Sequence, residues 1–178
     1  MNTERKVILY IAMSLDGYIA KPDDDLGFLS MVEKTGEDYG YTDFISTVDA
    51  VIMGRRTYDK VLTLVSEFPH SDKDAYIVTR TAREPAGSVK FYTGSLSELV
   101  AWLKSQPGKN IFVDGGAEVV HALLNDHLID ELIISIIPIL LGDGIALFKN
   151  GRPEAPLKLL EARTFDTGLV QLHYARRG

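Results

Sequence analysis

The chain contains no cysteine among its 178 residues. That excludes disulfides, thiolate metal sites and cysteine nucleophiles. Its histidines are His70, His121, His127 and His173, and no two stand at a ligand spacing. No metal site is expected, and each histidine reads as a surface or internally satisfied one. Long apolar runs are missing as well. The longest apolar region, Leu132–Leu141, carries Ser135 and Pro138 and is too short to span a bilayer. The start of the chain, MNTERK, is polar, and the apolar run Val7–Met13 enters Ser14 without a small-residue cleavage site. No signal peptide is read there, no membrane partner is expected, and the expected location is cytoplasmic. The formal net charge is -6, so nucleic acid is not an expected partner of the surface as a whole. The chain also lacks G-x-G-x-x-G, the P-loop pattern, H-E-x-x-H and the G-x-S-x-G nucleophile elbow.

What is present is the composition of a globular domain, with 46% hydrophobic and 25% charged residues. No repeat, low-complexity segment or linker interrupts it, so residues 1–178 are read as one domain. Lys6–Ser14 (KVILYIAMS) is apolar on both faces and predicts a central strand. Asp16-Gly17 then reads as a turn, and Lys21–Asp25 (KPDDD) as a solvated loop. Tyr41, Phe44, Ile45 and Val48 form one helical stripe, with Thr35 or Thr42 as its cap. Ala50–Met53, Ala75–Thr79, Val89–Tyr92, Asn110–Val113 and Asp130–Ile137 predict further strands. Helices are expected over Thr57–Val65, from a Ser95/Glu98 capping box to Pro107-Gly108, and over Ala117–Asn125. Leu157–Ala162 and Leu169–Ala175 around Thr167-Gly168 read as a hairpin. Strands alternate with helices at first and then follow one another. The predicted fold is α/β, a mostly parallel central sheet flanked by helices, closed by antiparallel C-terminal strands.

The stretch Asp49–Asp59 (DAVIMGRRTYD) organises this pattern. A short buried strand runs through Gly54 into a helix start carrying Arg55, Arg56 and Thr57. Such a junction holds phosphate well, although the same residues also suit an ordinary strand–turn–helix capped by Thr57. Two other strand ends share the design, Thr79-Arg80-Thr81 and Val113-Asp114-Gly115-Gly116-Ala117. In a parallel sheet the three ends lie on one edge, where open α/β sheets bind ligands. The amides of Gly115 and Gly116 can approach a pyrophosphate with no side chain in the way. Arg80 and one of Arg55 or Arg56 are suited to further phosphate oxygens.

Gly54-Arg55-x-Thr57-Tyr58 after Val51-Ile52-Met53, the Gly115-Gly116 helix start, and Ser14-Leu15-Asp16-Gly17-x-Ile19-Ala20 resemble the dihydrofolate reductase superfamily. The segment from Asp130-Glu131-Leu132 through Pro138-x-Leu140-Leu141-Gly142-Asp143-Gly144 to Leu147-Phe148 is similar to one branch. That branch holds the pyrimidine reductase domain of riboflavin biosynthesis and small stand-alone relatives. The resemblance implies an NADPH-dependent reductase acting on a small pyrimidine- or pterin-like molecule. It implies that Gly54, Arg55, Arg56 and Thr57 hold cofactor phosphates at one helix start, and Gly115, Gly116, Ala117 and Glu118 at the other, with a cis Gly115–Gly116 bond. By the same resemblance, Thr79, Arg80 and Thr81 surround the 2′-phosphate, and the backbones of Ala12 and Ile19 meet the nicotinamide. Ser135 lines the substrate pocket, and Asp38 or Asp43 supplies the proton. The tryptophan usual in the mobile loop of folate reductases is missing, because Trp102 lies in a distant helix. A cofactor-binding protein without turnover is the alternative. For Leu132–Leu141 two readings stand, a homodimer interface or burial within one chain.

Overall fold

The structure is a computed structural model that describes residues 4–178. In chain order it runs β1 (Val7–Ser14), β2 (Tyr18–Ala20), two short 3-10 turns (Pro22–Asp24 and Gly27–Val32), α1 (Tyr41–Ser46), β3 (Val48–Gly54), α2 (Arg55–Leu64), β4 (Asp74–Val78) and β5 (Val89–Tyr92). Then follow α3 (Leu96–Ser105), β6 (Asn110–Gly115), α4 (Ala117–Asn125), β7 (Glu131–Ile137), β8 (Ile145–Ala146), β9 (Leu157–Thr164) and β10 (Val170–Arg176). Eight strands form one sheet in the order β5-β4-β3-β6-β1-β7-β10-β9. From β5 to β7 all neighbours are parallel, whereas β10 is antiparallel to both β7 and β9. This is the dihydrofolate-reductase type of sheet.

The central strands are apolar on both faces because each face is covered. Val7 and Leu9 of β1 pack with Ile52, Val113 and the inner residues of α3 and α4. Ile8 and the partly buried Tyr10, on the other face, pack with Phe44 of α1, Val51 and Phe112. Ala50, Val51, Ile52 and Met53 are between 0% and 2% exposed, which explains the unbroken apolar run in the sequence. β7 lies between β1 and β10, so the apolar Leu132–Leu141 run is largely used inside one chain. Toward its end Pro138 and Leu140 are exposed.

Local structure differs from expectation in three places. The region before β3 holds two short 3-10 turns and then a helix of only six residues, α1, entered through Gly40 with a positive φ of 83°, so Val48 of the expected stripe falls in β3. Neither Thr35 nor Thr42 caps it, since Asp38 takes that place: its carboxylate accepts from the Gly40 amide (2.9 Å) and the Thr42 amide (3.0 Å). α2 begins at Arg55 rather than Thr57, which puts both arginines in its first turn. Ser95 occupies the start of α3, but its side chain makes no cap hydrogen bond, so the capping box is not formed.

At the far edge of the sheet, β9 is exposed along almost its whole length, including Leu159 and Leu160. Its pairing with β10 shifts so that Glu161 faces His173 and Leu159 faces Tyr174. Leu160 is the extra residue of a bulge.

The turn from β1 into β2 is tied down by Asp16. Its carboxylate accepts from the Ser14 hydroxyl (2.6 Å) and from the amides of Leu141 (3.0 Å) and Gly142 (2.7 Å). These bonds, the Ser14 one foremost, lower its pKa from 3.8 to about 2.

Candidate active site

The three strand ends singled out by sequence do converge. β4, β3 and β6 are consecutive and parallel, with Gly54 opposite Val78 on one side and Met53 opposite Gly115 on the other. Each strand therefore delivers its C-terminal turn to the same edge. The two helix starts there touch. A Cβ added at Gly116 would stand 2.8 Å from the Thr57 hydroxyl, and one added at Gly54 would stand 3.3 Å from Val119 and 3.5 Å from the Gly116 nitrogen. Side chains at these positions would close the space between α2 and α4. The Gly115–Gly116 peptide bond is cis, as the resemblance implied.

The residues that open the two helices carry no side chain that could cap them. α2 enters from Gly54 and α4 from Gly116, and in both cases no side-chain cap bond is made. The first-turn amides of two adjacent helices are thus left without a side-chain acceptor, with both dipoles' positive ends directed at one edge. That set of donors fits an anion with several oxygens. The cations nearby differ in how free they are. Arg55 is held by Asp59 (2.8 Å) and Arg56 by Asp24 (3.1 Å). Arg80 is exposed and forms no ion pair among the described residues. Buried Thr79 is turned inward, and its hydroxyl accepts from the Thr81 amide (3.2 Å), which fixes the loop that carries Arg80. Glu118, in the first turn of α4, is exposed and paired with Lys149. That pair, its hydrogen bond foremost, holds the Glu118 carboxyl below its ordinary range.

On the α1 side of the sheet lies a second polar group. Ala12, Ser135 and Gln171 form one row across β1, β7 and β10. The Gln171 amide donates to the Ser135 hydroxyl (3.1 Å), the Tyr10 hydroxyl (3.2 Å) and the Tyr39 carbonyl (3.1 Å). Burial pushes the Tyr10 phenol up from its ordinary pKa. Ile19 in β2 is half-buried against the main core.

The carboxylates expected to supply a proton make no hydrogen bond to this group among the described residues, although the Asp38 charge acts on the Tyr10 phenol. Asp38 is exposed and committed to capping α1, and its bonds to Thr42 and Gly40 hold its carboxyl below the ordinary range. Asp43 is exposed, beside the inward stripe of Tyr41, Phe44 and Ile45. The acid that does reach the glycine turn is Asp114, the residue before Gly115. Alternation along β6 puts Asp114 on the same face as Phe112, toward α1. It is partly exposed, and its Oδ2 lies 2.9 Å from Nε2 of the buried His70. Tyr41 of α1 is near enough to feel the Asp114 charge. Burial, with the Asp114 charge as the next cause, pushes its phenol up to about 12, so it keeps its proton at neutral pH and can donate a hydrogen bond. The signal for Asp114 was available in the sequence, as a polar residue at the end of an apolar strand next to paired glycines. His70 gave none.

The RibD C-terminal domain family model matches residues 5–171. The chain belongs to the RibD C-terminal domain family. Its relatives include the uncharacterized protein YwjB of Bacillus subtilis, 44% identical over 174 residues, covering 97% of this chain and 99% of that protein. Among solved structures, a putative riboflavin biosynthesis protein from Shewanella sp. PV-4 superposes with a TM-score of 0.88 at 32% identity, over 97% of this chain and 99% of that one. A dihydrofolate reductase from Enterococcus faecalis, complexed with NADP(H), superposes with a TM-score of 0.67 at 15% identity over the full length of both chains, a likeness of fold. Among the described residues no helix is long and apolar enough to cross a membrane.

Proposed function

We propose that this RibD C-terminal domain protein is an NADPH-dependent reductase of a small pyrimidine- or pterin-like molecule. The observation that carries the reading is the pair of uncapped helix starts at Gly54 and Gly116, packed so closely that a Cβ on Gly116 would meet Thr57 at 2.8 Å. The amides of Arg55–Thr57 and of Ala117 and Glu118 would hold the diphosphate. Thr79, Arg80 and Thr81 would surround the 2′-phosphate, and among the described residues Arg80 has no competing ion pair to give up. The backbones of Ala12 and Ile19 would meet the nicotinamide, and Ser135 would line the pocket for the acceptor.

When bound, NADPH supplies a hydride to a C=N or C=O carbon of the acceptor, and a proton completes the reduction at the heteroatom. Asp38 and Asp43 are the candidates the resemblance named for the proton. Asp38 is engaged in a helix cap, and Asp114, beside Gly115, is an acid placed to accept a hydrogen bond from the substrate. The protein's own part is to orient the two reactants and keep water out.

A titration with NADPH, followed by nicotinamide fluorescence, tests the cofactor half; no binding would leave only the fold. Mixing the loaded protein with dihydrofolate or with a ribosylaminopyrimidine phosphate then tests turnover. Binding without oxidation would favour a cofactor-binding protein that has no turnover.

A further inference from the structure

His70 is the most deeply buried ionisable ring among the described residues, 3% exposed, and two phenylalanine rings flank it. Phe68 and Phe112 meet it edge-on, at centroid distances of 5.4 and 5.6 Å and interplanar angles of 87° and 89°. Phe68 is itself packed against Tyr58 of α2 at 5.3 Å. The backbone is pinned as well, since the Lys73 amide donates to the His70 carbonyl at 3.0 Å. The ring thus has one orientation. Among the described residues its buried Nδ1 has no partner, while Nε2 meets Asp114 Oδ2 at 2.9 Å.

An ionised carboxylate only accepts, so Nε2 carries the proton in that bond, whether or not Nδ1 is protonated. A phenylalanine would fill the same aromatic box without leaving a nitrogen unbonded. What the histidine adds is one hydrogen bond, to one oxygen of one acid. That acid is partly exposed, with 27% of its side-chain surface open, stands next to Gly115, and among the described residues its Oδ1 accepts from nothing.

We propose that His70 is a positioning residue: it holds Oδ2 of Asp114 so that Oδ1 is presented to the cleft as the acceptor for an N–H or O–H group of the substrate. The assignment rests on the reductase reading and refines it. It specifies a substrate that carries a hydrogen-bond donor beside the carbon to be reduced, as aminopyrimidines and pterins do. A site that holds such a donor discriminates against analogues lacking it, because the carboxylate oxygen would otherwise be left unpaired.

The test uses His70→Phe, His70→Gln, Asp114→Asn and the His70→Phe/Asp114→Asn double variant of the full chain. The probes are NADPH and a ribosylaminopyrimidine phosphate. In His70→Phe the KM for the pyrimidine is expected to rise about 10-fold or more, with NADPH affinity unchanged. His70→Gln, which keeps an N–H donor, should recover most of the loss. The double variant should be no worse than Asp114→Asn alone, because both changes act through one group. Equal effects of His70→Phe and His70→Gln, or additive losses in the double variant, overturn the assignment. A crystal structure of His70→Phe tests the role without any need for activity. An Asp114 carboxylate that turns away from its original direction supports the role, and one that keeps it overturns the role. A wild-type protein that binds NADPH but oxidises none would count against the reductase reading, and the Asp114 geometry in His70→Phe would still decide what His70 does.

Discussion

The two ends of the sheet are both polar, and they are polar in opposite ways. At the N-terminal ends of the strands the charges are paired within the fold. Arg5 is 6% exposed, pairs with Asp49, and donates to the carbonyls of Lys109 (2.6 Å) and Leu103 (3.1 Å). Glu131 accepts from Lys6 (2.5 Å) and His173 (2.8 Å), and Asp130 from Lys104 (2.7 Å) and the Val7 amide (2.8 Å). At the C-terminal ends of β3, β4 and β6 the donors are left open: two helix starts without caps, Arg80 without an ion pair among the described residues, and glycines where side chains would intrude. A buried polar group must be satisfied by the fold, and an exposed one can be satisfied by a ligand. The first end therefore reads as stability and the second as binding.

The largest break in that contrast should come from Arg5→Ala. It strips the acceptors Lys109 O and Leu103 O of their donor and leaves Asp49 without its cation. Asp49 is 40% exposed, so water recovers part of the loss. A destabilisation of about 2–3 kcal/mol is expected, or a melting point lower by about 5–10 °C by calorimetry. NADPH affinity of the remaining folded protein should be unchanged. A variant that loses affinity but not stability would reverse the assignment of the two ends.

Arg80→Ala is the complementary probe. Loss of a charge-assisted contact to phosphate should weaken NADPH about 10-fold or more, leave NADH nearly untouched, and leave the melting point within about 1 °C. Equal weakening of both cofactors would show that Arg80 does not read the 2′-phosphate.

Glu118→Gln should act more weakly, because the carboxylate is exposed and already neutralised by Lys149. Freed from that pair, Lys149 becomes available to an anion at the start of α4. NADPH binding should tighten about 2-fold at low salt and by less at high salt, as followed by fluorescence titration.

The smallest effect concerns acid. Asp16 has a folded pKa of about 2 against an ordinary 3.8. A depressed carboxylate contributes stability above its unfolded pKa, and that contribution is lost as pH falls through the folded one. Wild-type and Asp16→Asn proteins should therefore differ in urea midpoint at pH 6 and converge as pH drops from about 4 toward 2. A difference that persists unchanged at pH 2 would mean that the amides of Leu141 and Gly142 do not depend on the charge.

Much of this was legible in the sequence for identifiable reasons. β1 and β3 are central strands covered on both faces, so Val7–Met13 and Ala50–Met53 carry continuous apolar runs. The glycines at 54, 115 and 116 stand where backbones approach closely, a requirement that few other residues meet. The acid side was harder to read. Asp38 looked like a free helix carboxylate, because its capping bonds to Gly40 and Thr42 depend on a left-handed glycine that leaves no periodic trace. His70 lies in a polar loop, Ser66–Lys73. Phe112, the ring that helps bury it, is more than forty residues away, as is Asp114, to which it bonds at a separation of 44. Long-range partners of that kind have no local signature.

The bulge at Leu160 bears on how copies of this molecule behave when crowded. β9 offers an open backbone edge and exposed leucines, the combination that lets one chain seed a ribbon of others. With an extra residue in the strand, and Lys158, Glu161 and Arg163 spread along it, an incoming strand cannot run in continuous register. Growth of a polymer would stall at its first addition, so the unpaired margin of the sheet can face other proteins in a concentrated solution without templating fibrils.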